Sequence, residues 1–143
     1  MKYNFLKGKM VSLPIFIFIF FTSFNSYLNA QVIKYKAVLF TTTKYKGENK
    51  KPPIQKECNF LVVINLSKLK INLYSNTEQE LDIVKRGEII KKEKFTIHEY
   101  SCVDSDGEKC IVGYSVYEEG NKYTAGLLFD YGDSVYIYYL IDD

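Results

Sequence analysis

Beyond residue 30, apolar and polar positions alternate with a period of two. Turn-forming residues interrupt the runs at roughly the 8–12-residue spacing of small all-β domains. Ile33, Tyr35, Ala37 and Leu39 alternate with Lys34 and Lys36, which predicts a strand with one face buried. Phe60 to Ile64 is apolar throughout and β-branched at three positions, as in a strand covered on both faces or curving through the centre of a sheet. Asn65 to Lys68 can turn, and Leu69, Ile71 and Leu73 then alternate with Lys70 and Asn72.

Four further strands follow from Lys94 onward. Phe95–Val103 and Glu108–Glu118 flank Ser105-Asp106-Gly107, which fits a three-residue hairpin loop with Gly107 supplying positive φ. Gly120-Asn121 reads as a two-residue turn before a strand at Tyr123–Tyr131. Gly132-Asp133 reads as the turn before Ser134–Ile141. These four strands form an antiparallel meander.

Two stretches carry mixed signals. Residues 41–57 are polar and contain Gly47, Lys50, Lys51, Pro52 and Pro53, which predicts the longest loop of the chain. Residues 76–87 offer a helical capping pair, Thr77 with Glu80, and a stop at Gly87. Leu81, Ile83 and Val84 nevertheless make a poor helical stripe, and the segment is short, so the expectation is a strand at about 80–85. The whole chain then holds about eight short strands whose links leave no room for helical crossovers. The expected fold is all-β: one antiparallel meander closing into an up-and-down barrel or a strongly curved sheet.

The first thirty residues follow another pattern. Lys2, Lys7 and Lys9 precede an apolar run from Met10 to Phe21, and a polar stretch ends at Ala30. A basic start, a short apolar middle and a small residue at the cut define a secretory signal peptide. This twelve-residue run falls short of the roughly 20 that a spanning helix needs. The expected organisation is a signal peptide at 1–30, an all-β domain at 31–143, and export to the periplasm or the exterior with no transmembrane helix in the mature chain. No Cys follows the cut, which argues against a lipoprotein.

This division changes the charge. The chain has 19 Lys and Arg against 17 Asp and Glu, a formal +2. Three of the basic residues and none of the acidic ones lie before Gln31, leaving 16 against 17, a formal −1. A near-neutral domain has no broad electrostatic reason to bind nucleic acid. The basic clusters at Lys44–Lys51 and Lys91–Lys94 are interleaved with Glu48 and Glu93 and read as solvated loops.

Cys58, Cys102 and Cys110 are the only cysteines. With residues 105–107 as the loop, Cys102 lies directly opposite Cys110 on the same face. In an exported chain this predicts a Cys102–Cys110 disulfide. Cys58 is left as a buried thiol or as a partner for a cysteine of another chain. The only histidine, His98, shares a strand face with Tyr100 and Cys102 but has no catalytic partner at a recognisable spacing. Asp104, Asp106 and Gly107 resemble the start of a calcium loop, but the twelfth position from Asp104 is Ser115 rather than Glu. A plain acidic turn is expected. Asp130 and Asp133 flank a turn, and turn chemistry explains both. No catalytic, cofactor or metal motif is present.

Tyrosine is the remaining signal. Residues 31–143 hold 11 of the 13 Tyr and only four of the 10 Phe. Tyrosine combines apolar area with a polar tip, as ligand cavities require. Tyr136 and Tyr138 share one face of the last strand, with Tyr100 and Tyr114 on neighbouring strands. These four are the candidate ligand-binding residues. Lipocalin-like barrels are similar in size and strand number, but their Gly-x-Trp signature has no counterpart here, since the chain has no Trp. The functions in view are a non-enzymatic binding module for a small apolar or aromatic molecule, a cell-envelope interaction protein or inhibitor, and, last, a hydrolase.

Overall fold

The structure is a computed structural model that describes residues 31–44 and 52–143. The expected signal peptide and the basic stretch at 45–51 lie outside these residues. Eight strands follow in order: β1 (Val32–Lys44), β2 (Ile54–Asn65), β3 (Lys70–Tyr74), β4 (Glu78–Lys91), β5 (Phe95–Asp104), β6 (Lys109–Tyr117), β7 (Ala125–Asp130) and β8 (Ser134–Asp142). Each pairs antiparallel with its sequence neighbour, and β1 pairs with β8, so the sheet closes into an up-and-down barrel. Every link joins neighbouring strands, as the short turns require. No described helix is long and apolar enough to cross a membrane.

The period-two pattern sorts residues between interior and solvent. Tyr35 and Ala37 of β1, Val62 and Ile64 of β2, Ile71 and Leu73 of β3, and Leu81 and Ile83 of β4 are buried. Tyr100 and Cys102 of β5, Cys110, Val112 and Tyr114 of β6, Ala125, Leu127 and Phe129 of β7, and Leu140 of β8 complete the core. Residues between them, among them Lys34, Lys85 and Lys109, face water. An eight-stranded barrel is about wide enough for its side chains to meet at the axis, or to leave room for one small ligand.

Turn geometry sets the register. Gly107 has φ +83°, and the Asp104 N–H donates to Glu108 O at 2.9 Å, so the 105–107 loop holds Cys102 directly opposite Cys110. Gly132, with φ +89°, makes the β7–β8 turn in the same way. The β2–β3 turn instead places Leu69 at φ +54°, a left-handed conformation that costs a residue with a Cβ about 1–2 kcal/mol. Asn65 Oδ1 holds that turn by accepting from the Lys68 N–H and the Ser67 hydroxyl.

Three expectations need correction. The loop expected at 41–57 is shorter, because β1 runs to Lys44 and β2 starts at Ile54, with Thr41 opposite Gln55 and Thr42 opposite Ile54. Ladder hydrogen bonds and the β-preference of Thr hold this polar hairpin arm, and neither shows in hydropathy. The strand expected at 80–85 spans 14 residues, with bulges after Ile83 and after Arg86 that break its alternation. The Gly120-Asn121 turn is part of a seven-residue link, 118–124, tied by the Tyr117 N–H to Thr124 O and the Thr124 N–H to Leu140 O.

Candidate functional site

The two ends of the barrel differ. At the end carrying the β7–β8 turn, aromatic rings cluster in the interior. Phe40 stacks on Tyr138 at 4.9 Å between ring centroids and on Tyr136 at 6.0 Å. Phe60 and Phe129 meet the Tyr138 ring edge-on at 5.5 and 5.8 Å, and Tyr131 meets Tyr136 at 6.0 Å. Offset and edge-on pairs of this kind are favourable beyond the area they bury. Burial pushes the Tyr138 hydroxyl up to about 12. Tyr136 and Tyr138, two of the four expected ligand-binding tyrosines, are therefore packed in a plug.

The opposite end is open. On its β4 side the short β3 reaches only Glu78–Asp82, so the rest of β4 rises with β5 beyond the β2–β3 turn. The mouth is consequently oblique, with one tall wall and one low rim. A half-open cleft of about 640 Å³ enters here, lined by Ile33, Leu66, Arg86, His98, Tyr100, Tyr114 and Val116 among others. The other two expected residues, Tyr100 and Tyr114, lie together in its wall.

Tyr114 lines the cleft, and its hydroxyl is hydrogen-bonded at 2.6 Å to that of Tyr35, which lies behind the lining. Both residues are nearly buried, 4% and 6% exposed. Burial, then the Tyr35 contact, raises the Tyr114 hydroxyl well above the ordinary tyrosine range, so it stays protonated. The His98 ring lies 5.8 Å from that of Tyr114. At the rim, Arg86 Nη2 donates to Leu66 O at 3.3 Å, tying the tall wall to the low one. Burial raises the Tyr100 hydroxyl, and the Arg86 charge partly offsets this. Where β4 bulges at Gly87, a Cβ would lie 3.1 Å from Glu99 O, so a side chain there would crowd the close approach of β4 to β5.

Sequence reasoning missed Arg86 and Tyr35 as site residues and gave His98 no role. Tyr35 belongs to the inward set of β1 and could have been included on that ground. Arg86 faces the mouth only because of the preceding bulge, which hydropathy does not signal.

The Cys102–Cys110 disulfide is also corrected. The two residues are directly opposed as expected, but both are free thiols, and so is Cys58. Directly opposed antiparallel residues hold their Cβ atoms about 4.5–5.5 Å apart, against about 3.8 Å in a disulfide. Burial also pushes the Cys102 thiol up to about 12 and raises Cys110, and the protonated thiol is not the reactive form. Cys58 is half-buried against the core. Asp104 Oδ1 accepts the Asp106 and Glu108 N–H groups and Oδ2 accepts the Tyr131 hydroxyl, so this carboxylate serves the hairpin. Asp130 Oδ1 accepts the Gly132 N–H at 2.8 Å.

The chain matches no protein-family model, no curated protein and no solved structure.

Proposed function

We propose that this chain is an exported, non-enzymatic binding module that holds one small apolar or aromatic molecule in the open mouth of its barrel. The single observation behind the reading is the half-open cleft of about 640 Å³, within the size range of small-molecule sites. Its wall is mostly apolar, through Ile33, Leu66 and Val116, with a few polar groups, as such sites require. Export rests on the signal-peptide pattern of residues 1–30. The formal −1 of residues 31–143 is consistent with a small-molecule ligand and offers no basic field for nucleic acid. No cofactor is invoked.

A neutral fluorescent probe, N-phenylnaphthylamine, tests the reading. Saturable binding at one site is expected, and Val116→Trp, which places an indole in the mouth, is expected to abolish it while the thermal transition persists. Absence of binding, or binding indifferent to Val116→Trp, would refute it.

A second reading, an envelope interaction protein or inhibitor, draws on the outer face. Val84 and Ile111, 68% and 41% exposed, flank a shallow groove of about 410 Å³ with Val103. Under that reading Ile111→Ser disrupts association with a partner and leaves probe binding untouched.

A further inference from the structure

The Tyr35–Tyr114 pair holds one hydrogen more than it uses. Two phenol groups bring two O–H hydrogens, and the 2.6 Å contact between their oxygens consumes one. Whichever tyrosine donates, the other keeps a hydrogen to give. Neither oxygen has a second partner among the described residues. Both side chains are more than nine-tenths buried, and Tyr114 lines the cleft. A buried donor without an acceptor is costly, and an acceptor delivered through the mouth relieves that cost.

The surroundings decide which acceptor fits. Among the described residues, the one cationic side chain lining the cleft, Arg86, is exposed at the rim and already donates to Leu66 O. Glu88 and Glu99 share that rim, so the lining as a whole does not favour an anion. A carboxylate carried to the pair would lose its hydration for a single hydroxyl donor, a poor exchange for a full charge. A carbonyl oxygen gives up less hydration, and one donor satisfies it. Ile33, Val116 and the tyrosine rings offer the rest of the molecule an apolar bed.

We propose that the mouth selects uncharged apolar or aromatic molecules bearing a carbonyl oxygen, which accepts the spare hydroxyl hydrogen of the Tyr35–Tyr114 pair. The proposal rests on the reading of the mouth as a ligand site and names the ligand class that the site prefers.

Three probes of similar shape separate the possibilities: acetophenone, ethylbenzene and benzoate. Each is titrated against protein loaded with N-phenylnaphthylamine, and its Kd is read from displacement. Acetophenone is expected to bind roughly fivefold more tightly than ethylbenzene, the worth of one net hydrogen bond. Benzoate is expected to bind most weakly. In the double variant Tyr35→Phe/Tyr114→Phe the preference for acetophenone over ethylbenzene is expected to be lost or reversed, because the carbonyl oxygen then has no donor, with the ethylbenzene Kd unchanged. Tyr114→Phe alone leaves the Tyr35 hydroxyl to donate and is expected to keep the preference.

Equal Kd values for acetophenone and ethylbenzene in the native protein would overturn the proposal, as would tightest binding of benzoate. So would loaded dye that none of the three displaces. Failure of the dye itself to bind overturns the underlying reading instead. The native comparison needs no variant, so it decides the matter even if the double variant does not fold.

Discussion

Truncating one side chain in the packed middle of the barrel and one in its mouth tests the division of the interior into two zones. Leu127 of β7 is 0% exposed and belongs to the core. Leu127→Ala removes three carbons, about 2.4 kcal/mol of transfer free energy at about 0.8 kcal/mol per carbon, before any cavity is counted. Neighbours in a closed barrel are tied on both sides by ladder bonds and relax poorly, so the cavity adds to the loss. The expected total is about 3–5 kcal/mol, within the range of buried leucine truncations. Val116 of β6 also faces inward but lies partly exposed along the cleft. Val116→Ala removes two carbons that already border open space, so no new cavity forms, and the expected loss is about 1 kcal/mol or less. Urea unfolding followed by near-ultraviolet circular dichroism measures both, with unchanged slopes confirming that the same surface is exposed. Similar losses at the two sites would refute the two-zone interior. A Leu127→Ala loss below about 1.5 kcal/mol would refute the packed middle.

Three further outcomes follow from particular groups. Burial raises the hydroxyls of Tyr100, Tyr114, Tyr117, Tyr131 and Tyr138 in the folded state, Tyr138 to about 12. Above about pH 10 the unfolded chain therefore releases protons that the folded chain keeps. Each such tyrosine then lowers stability by up to about 1.4 kcal/mol per pH unit. Full stability below about pH 10 and cooperative unfolding between about pH 10 and 12, coincident with tyrosinate absorbance, are expected; gradual ionisation of a still-folded protein would contradict this. At Gly126 a Cβ would lie 2.8 Å from the Tyr117 hydroxyl, the far end of a movable ring. Gly126→Ala should cost about 1 kcal/mol, and Tyr117→Ala should erase that cost in a double-mutant cycle. Leu69→Asn should stabilise the β2–β3 turn by about 0.5–1 kcal/mol in thermal unfolding, because Asn tolerates the left-handed conformation that Leu69 adopts.

What the sequence made legible depended on local rules. Gly107 and the residues around it were enough to place Cys102 opposite Cys110, because a three-residue loop fixes register over its whole hairpin. The same rules could not say whether the thiols join, since that depends on the separation and protonation of buried groups. Thr41–Lys44 and Ile54–Glu57 were misread as loop because ladder bonds, not apolar side chains, hold them. The sequence grouped the four candidate tyrosines as one ligand-binding set, yet the structure divides them between a plug and a mouth. That division depends on how far each strand extends along the barrel. The brevity of β3 beside the length of β4 creates the low rim, and a bulge turns Arg86 toward it. Neither strand stagger nor bulge leaves a mark in hydropathy.

The central claim is that the mouth is the binding site. A backbone amide NMR titration of the protein with acetophenone tests it most directly. Saturable shifts concentrated at Ile33, Arg86, His98, Tyr114 and Val116 are expected, with Tyr136 and Tyr138 in the plug and Ile111 on the outer face unmoved. Shifts centred on Val84 and Ile111, or no saturable shifts at all, would contradict it.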